Sequence, residues 1–335
     1  MSMSSSKVFC AFVTLAVLGA GCGAGGAGAG AVPNANSALS SNGSVAVAAT
    51  STSASEPYTC PSATTSSGAL NCTDLPLGDH KYSTTTPKAG YVYSCMSLSG
   101  SPVVSNAPWI NNSAGTWNML QKVAVEGAVS WAGTFATKTS GSTLTITGEE
   151  VPIAPHTTGT FPIEPSDPAY AYDRNPNSIE RHTVDVALSA TPTEASKPSC
   201  LGMGAIGITL TGVAIYNGFD AAGYDAVARE EQDGCHGHPD QSDTYHYHGD
   251  LQACVPDAGS AKTNSSLLGY ALDGFGIYGP WYNGKILTTA DLDECHGITS
   301  QVEWNGKLVS MYHYVSTYDF PYTLGCYRGK PAKAL

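Results

Sequence analysis

The distribution of cysteine constrains this chain more than any other feature. Ten cysteines occur in 335 residues. Cys10 and Cys22 lie in an apolar, small-residue N-terminal segment; the other eight are Cys60, Cys72, Cys95, Cys200, Cys235, Cys254, Cys295 and Cys326. An even number of spaced cysteines in an exported chain argues for disulfides rather than thiolate chemistry. Eight cysteines admit about a hundred complete pairings, so spacing alone does not select one. Pairing sequence neighbours predicts Cys60 with Cys72, Cys235 with Cys254 and Cys295 with Cys326, which leaves Cys95 with Cys200. Sulfur held in bridges is removed from the pool of metal ligands and nucleophiles.

Export is read from the first 57 residues. Lys7 supplies a short positive region, and Val8 to Leu18 form an apolar run. That run is too short to span a bilayer and has the length of a signal-peptide core. Residues 1–21 are therefore expected to be a signal peptide. The following Gly19-Ala20-Gly21-Cys22 resembles the lipobox of bacterial lipoproteins, in which the cysteine is lipidated and becomes the new N-terminus. It departs from that pattern at Gly19, where leucine is usual, with Leu18 one residue further out. Two outcomes follow: a membrane anchor through lipid on Cys22, or simple cleavage and secretion. Residues 22–57 are Gly, Ala, Ser, Thr and Asn with almost no charge, the composition of a flexible linker. Residues 58–335 then form the folded domain.

Charge excludes one class of partner. Lys and Arg total 15 against 27 Asp and Glu, a formal net charge of −12. A surface of that sign repels phosphate backbones, so nucleic acid is not a partner.

From Tyr58 onward, short β-branched runs alternate with Gly, Pro, Asn and Ser clusters, which predicts a mainly β, disulfide-stapled, sandwich-like domain. Strand candidates include Lys122 to Ser130, Ser142 to Thr147, His182 to Leu188 and Ala205 to Tyr216. Asn283-Gly284 and Asn305-Gly306 mark hairpins, because both turn positions require positive φ. Helix is confined to one or two short pieces, Asp225 to Gln232 and Ala290 to Cys295. The second has Thr288 and Asp291 placed for a capping box. No internal repeat of fixed period is evident.

Six of the nine histidines fall between residues 236 and 313. The densest patch is Cys235-His236-Gly237-His238-Pro239 followed by Thr244-Tyr245-His246-Tyr247-His248. On a strand His246 and His248 share one face, roughly 7 Å apart, with Tyr245 and Tyr247 on the other. His-x-His at that spacing supplies two ligands for zinc, copper or iron. His236 and His238 repeat the spacing, but the Gly and Pro beside them predict a loop. Alternation through Leu308 to Val315 puts His313 with Val309, Met311 and Val315, away from Tyr312 and Tyr314. His296 follows Cys295 in a turn. The candidate ligand set is His238, His246, His248, His296 and His313. Asp273, in the apolar run Gly269 to Gly279, is costly to bury without a partner. It is expected to support a ligand, as are Tyr245 and Tyr247.

The string Tyr245-His246-Tyr247-His248 and its surroundings resemble the YHYH family of exported proteins. The likeness runs from about Gly204 to Gly329. It takes in Asp233 to Pro239, Cys254, Gly269 to Gly279, Asp291 to Gly297, Met311-Tyr312-His313-Tyr314 and Phe320 to Cys326. A second complete tetrapeptide would need histidine at the position of Val315. The resemblance implies secretion and a domain built around histidines.

Three functions are consistent with these residues. The first is an envelope protein that binds zinc or copper through the histidine cluster. The second is a metal-dependent hydrolase or oxidoreductase on the same site. The chain has neither a Gly-x-Ser-x-Gly elbow nor a His-Glu-x-x-His helix. The third is a surface adhesion or carbohydrate-binding module, suggested by twelve of the eighteen tyrosines falling after residue 200.

Overall fold

β-Branched and apolar residues in alternation make the strands here, and glycine turns with positive φ set their ends. The computed structural model describes residues 58–333. The expected signal peptide, the Cys22 lipidation site and the 22–57 linker lie outside the described residues.

A three-stranded antiparallel sheet contains β1 (Phe135–Ser140), β2 (Thr143–Gly148) and β3 (Val184–Ser189), in the order β3-β2-β1. Along β3, Val184, Val186 and Leu188 are buried while Asp185, Ala187 and Ser189 are exposed, the period-2 pattern of a sheet covered on one face. A larger sheet contains β4 (Ala205–Thr209), β5 (Ala214–Tyr216), β6 (Gly237–Pro239), β7 (Tyr245–Tyr247), β8 (Leu267–Ala271), β9 (Gly276–Tyr278), β10 (Gly297–Trp304) and β11 (Lys307–Val315). Their order is β6-β7-β5-β4-β8-β9-β11-β10. One apolar core joins Ile146 and Val186 of the first sheet to Ile208 and Ile277 of the second. The architecture is mainly β and sandwich-like, as expected.

All four disulfides pair as sequence neighbours predicted: Cys60–Cys72, Cys95–Cys200, Cys235–Cys254 and Cys295–Cys326. Both Asn-Gly pairs turn hairpins with positive φ at each residue. The Thr288–Asp291 capping box is present, but the helical piece expected over Ala290 to Cys295 is only a 3-10 turn at Thr289–Asp291, ended by extended Leu292.

Three further expectations are corrected. The helix expected over 225–232 is a single turn, α1 (Ala226–Arg229), capped by Asp225. Buried Lys122 donates to Val227 O at 2.5 Å and Glu230 O at 2.7 Å, taking carbonyls that a second turn would need. Lys122 to Ser130, expected as a strand, pairs in a ladder only at Val129–Ser130, with Val125 making a single bridge to Asp233. The third correction is larger. The big sheet is an internal duplication.

Equivalent strands superpose by pairing rule. The hairpin β4–β5 matches β8–β9, the parallel pair β5–β7 matches β9–β11, and the antiparallel pair β6–β7 matches β10–β11. The two halves meet at β4–β8, where Gly207 pairs with Ala271, Ile208 with Tyr270 and Thr209 with Gly269. That register is its own image under a two-fold axis through the Ile208–Tyr270 pair. Side chains repeat as well. Asp233 accepts Cys235 N, Gly237 N and the Tyr245 hydroxyl. Asp293 accepts Cys295 N, Gly297 N and the Tyr312 hydroxyl. His236 and His296 both take the left-handed conformation, at φ 61° and 69°.

Candidate metal centre

The centre is built on two adjacent strands at one edge of the large sheet. Alternation along β7 turns His246 and His248 to one face and Tyr245 and Tyr247 to the other. The turn at 240–244, with Asp243 at positive φ, reverses the chain, so that β6 runs antiparallel to β7 with the His238 Cα opposite that of His246. His238 therefore lies on a strand, and the loop expected there ends at His236. Donor atoms of His238, His246 and His248 all fall within 4.8 Å of one another, and the three side chains are buried. This three-histidine group can hold a metal ion.

Hydrogen bonds decide which nitrogen faces inward. His246 Nδ1 lies 3.0 Å from Thr244 O, and His248 Nδ1 lies 2.5 Å from Asn217 O. A carbonyl only accepts, so each Nδ1 carries the hydrogen and each neutral ring presents a lone pair at Nε2. Those two Nε2 atoms face each other at 3.0 Å. Two acceptors in that position repel unless a cation lies against both. Burial holds the His246 imidazole down at about 4. Burial and the neighbouring imidazole push His248 well below the usual range, and His238 likewise. A proton is thus not the cation near neutral pH, whereas a metal suits neutral imidazole. The Tyr216 ring stacks on His246 with centroids 3.8 Å apart, fixing its plane.

Beside the three histidines lies Glu230, which the sequence did not single out. Its Oε2 lies 3.3 Å from His248 Nε2 and 3.5 Å from His238 Nε2, and has no other partner. Both His238 ring nitrogens are likewise unpartnered. Buried polar atoms without partners are rare, and here they converge on one point. Burial, then the charges of Asp220 and Asp173, push the Glu230 carboxyl well above the carboxylate range. A cation at the centre would offset that. Because the helix stops at Arg229, Glu230 is extended (φ −114°, ψ 141°), and the buried Lys122 ammonium holds its carbonyl. Glu230-Glu231 beside a helix end carries no spacing signal, which is why sequence reasoning passed over it.

The other predicted residues lie elsewhere. His313 is held by Ser300 Oγ at 2.8 Å and Tyr314 O at 3.2 Å, in the second half of the duplication. There Ile298 and Val315 occupy the places of His238 and His248. His296 Nε2 bonds Thr317 Oγ1 at 3.0 Å. Neither joins the three-histidine group. Asp273 finds its partners in the Tyr314 hydroxyl at 2.6 Å and Gly329 N at 2.8 Å, so no metal or ligand is needed to account for its burial. Tyr245 donates to Asp233 across the opposite face of β7 from the histidines. Tyr247 shares that face and does not support the ligands. Thr244 O, Asn217 O and Tyr216 fill the supporting roles instead.

The inner face of the centre opens on a cavity of about 660 Å3 reached by His238, His246, His248 and Glu230. Fold and site together define a disulfide-stapled β protein with a buried histidine centre at the mouth of a cleft. Residues 185–286 match the family described as YHYH protein, so the chain carries a YHYH domain containing this centre. No curated protein and no solved structure matches the chain.

Proposed function

We propose that this is an exported cell-envelope protein that binds a transition metal, zinc or copper, through His238, His246 and His248 with Glu230 beside them. The observation that carries the reading is the pair of Nε2 lone pairs held face to face at 3.0 Å by carbonyls on the far side of each ring. Imidazole suits both metals, and disulfide-bonded cysteines leave nitrogen and carboxylate as the ligands. Four disulfides and the YHYH domain support an extracellular location, with lipid on Cys22 as the anchor or plain secretion as the alternative.

Elemental analysis of the exported protein tests this directly. About one equivalent of zinc or copper is expected, lost in His246→Ala with His248→Ala and retained in His313→Ala. Metal-free protein that also fails to take up either ion would overturn the reading.

The cavity favours a second reading, a metal-dependent enzyme. A bound metal would supply Lewis acidity or a water of lowered pKa. Glu230, 3.3 Å from His248 Nε2, is placed to take a proton in that cavity. The adhesion reading gains no support from the tyrosines, since all twelve after residue 200 are buried or half-buried.

A further inference from the structure

The cavity beside the histidines is lined by more than the centre itself. Its wall carries four carboxylates, Asp173, Asp220, Glu230 and Asp240, and neither lysine nor arginine. Two of these are already bonded: Asp240 accepts the Tyr216 hydroxyl and two backbone amides, and Asp173 accepts amides of Asn175 and Glu231. Glu230 faces the histidines. Asp220 is different. It is 2% exposed, and its Oδ1 accepts Ala222 N at 2.9 Å and Tyr224 N at 2.8 Å. Its Oδ2 is buried without a hydrogen-bond partner; the Val103 amide favours the carboxylate without closing a bond to it. A buried carboxylate oxygen left unmet is costly to the fold.

The rest of the wall is apolar. Leu98 and Phe219 are buried in it, and Met96, Val103 and Met203 stand at 47%, 46% and 39% exposure. Only two other large hydrophobic side chains, Val129 and Leu308, are exposed among the described residues. Such a concentration at one cleft marks a ligand surface. A negative wall excludes anionic ligands, and the apolar rim selects against a bare inorganic ion.

We propose that this cavity binds a small organic amine, its ammonium on Asp220 Oδ2 and its apolar portion against Met96, Leu98, Val103, Met203 and Phe219. This deepens the metal reading by naming what would approach the centre, and rests on that reading only for what the ligand would meet there. The ammonium completes the Oδ2 shell, and the alkyl part covers the exposed methionines.

The test is calorimetric titration of the exported protein with n-hexylamine, n-hexanol and n-hexanoate, with metal content measured on the same samples. Hexylamine should bind saturably and at least about tenfold more tightly than hexanol, with hexanoate weakest; one charge-assisted hydrogen bond is worth about that factor. Asp220→Asn keeps the Oδ1 contacts and should lose the tenfold preference while retaining metal. Met203→Lys, at an exposed position, should weaken hexylamine well beyond hexanol, since both lose the methionine contact but only the ammonium is repelled by the new charge. It decides the matter if Asp220→Asn fails to fold. Equal binding of amine and alcohol overturns the proposal. So does amine binding that survives Asp220→Asn and Met203→Lys but vanishes in His246→Ala with His248→Ala, because the amine would then be a metal ligand. Asp220-dependent amine binding to metal-free protein would sink the metal reading and leave this one standing.

Discussion

Replacing Tyr245 with Phe removes one hydroxyl from the back of the histidine strand, and the duplication supplies its own control in Tyr312→Phe. The Tyr245 hydroxyl donates to both oxygens of Asp233, at 2.9 and 2.8 Å. Residue exposure is 0% for Tyr245 and 1% for Asp233, so water cannot take the vacated position. A hydrogen bond to a charged acceptor is worth about 1.5–3 kcal/mol, and the upper part of that range applies when the acceptor stays buried. Backbone amides of Gly159, Cys235 and Gly237 remain on Asp233 and keep the loss from growing larger. The Tyr312 hydroxyl makes the equivalent bond to Asp293, but a single one, at 3.1 Å, to a half-buried carboxylate that water can reach. The expected losses are about 2–3 kcal/mol for Tyr245→Phe and about 1 kcal/mol for Tyr312→Phe. Guanidinium unfolding at neutral pH with chelator present, followed by tryptophan fluorescence, measures both without a metal contribution. Metal uptake should survive Tyr245→Phe, because the hydroxyl lies on the opposite face from His246 and His248. A Tyr312→Phe loss equal to or above that of Tyr245→Phe would refute the burial argument.

Gly237→Ala and Gly297→Ala should each cost about 2 kcal/mol in urea unfolding, because a Cβ at either position collides with the ring of Tyr245 or Tyr312; a neutral result would show that the rings can move. His313 is held at about 4 by burial, against about 6.5 in the unfolded chain. The unfolded state therefore takes up the proton first as pH falls, and roughly 3 kcal/mol of stability is lost between pH 6.5 and 4. His313→Gln should flatten that part of the stability–pH curve by the slope of one proton, and an unchanged slope would contradict the assignment. Among the disulfides, Cys95–Cys200 closes a sequence separation of 105 and Cys60–Cys72 one of 12. Replacing the first pair with serine should cost more stability in guanidinium unfolding than replacing the second, by about 1–2 kcal/mol on the chain-entropy account. Lys122→Met should loosen the backbone at Glu230 and lower metal affinity about tenfold, read by competition with a chromophoric chelator.

How much of this could be read in advance depended on how local the cause was. Alternation along Tyr245 to His248 needs only strand geometry, so the facing of His246 and His248 followed from the sequence. Asn-Gly turns and the Thr288–Asp291 capping box are likewise set within four residues. The duplication is written in the sequence too, as Asp-x-Cys-His-Gly and Tyr-His-Tyr, each present twice. It escaped a search for a fixed period because the long β10–β11 hairpin changes the spacing from one motif to the next.

Residue identity and spacing alone thus determined a mainly β chain and a strand with two histidines on one face, whereas the neighbour pairing of the cysteines is one of about a hundred that the fold selects. The tertiary structure decided which histidines meet. His238 joins the pair because β6 folds back onto β7, whereas His313 satisfies both its nitrogens in the other half. Glu230 reaches the centre because a lysine more than a hundred residues away ends the helix before it. Convergence of side chains from separate strands is a property of packing, and a one-dimensional string holds no distance between them.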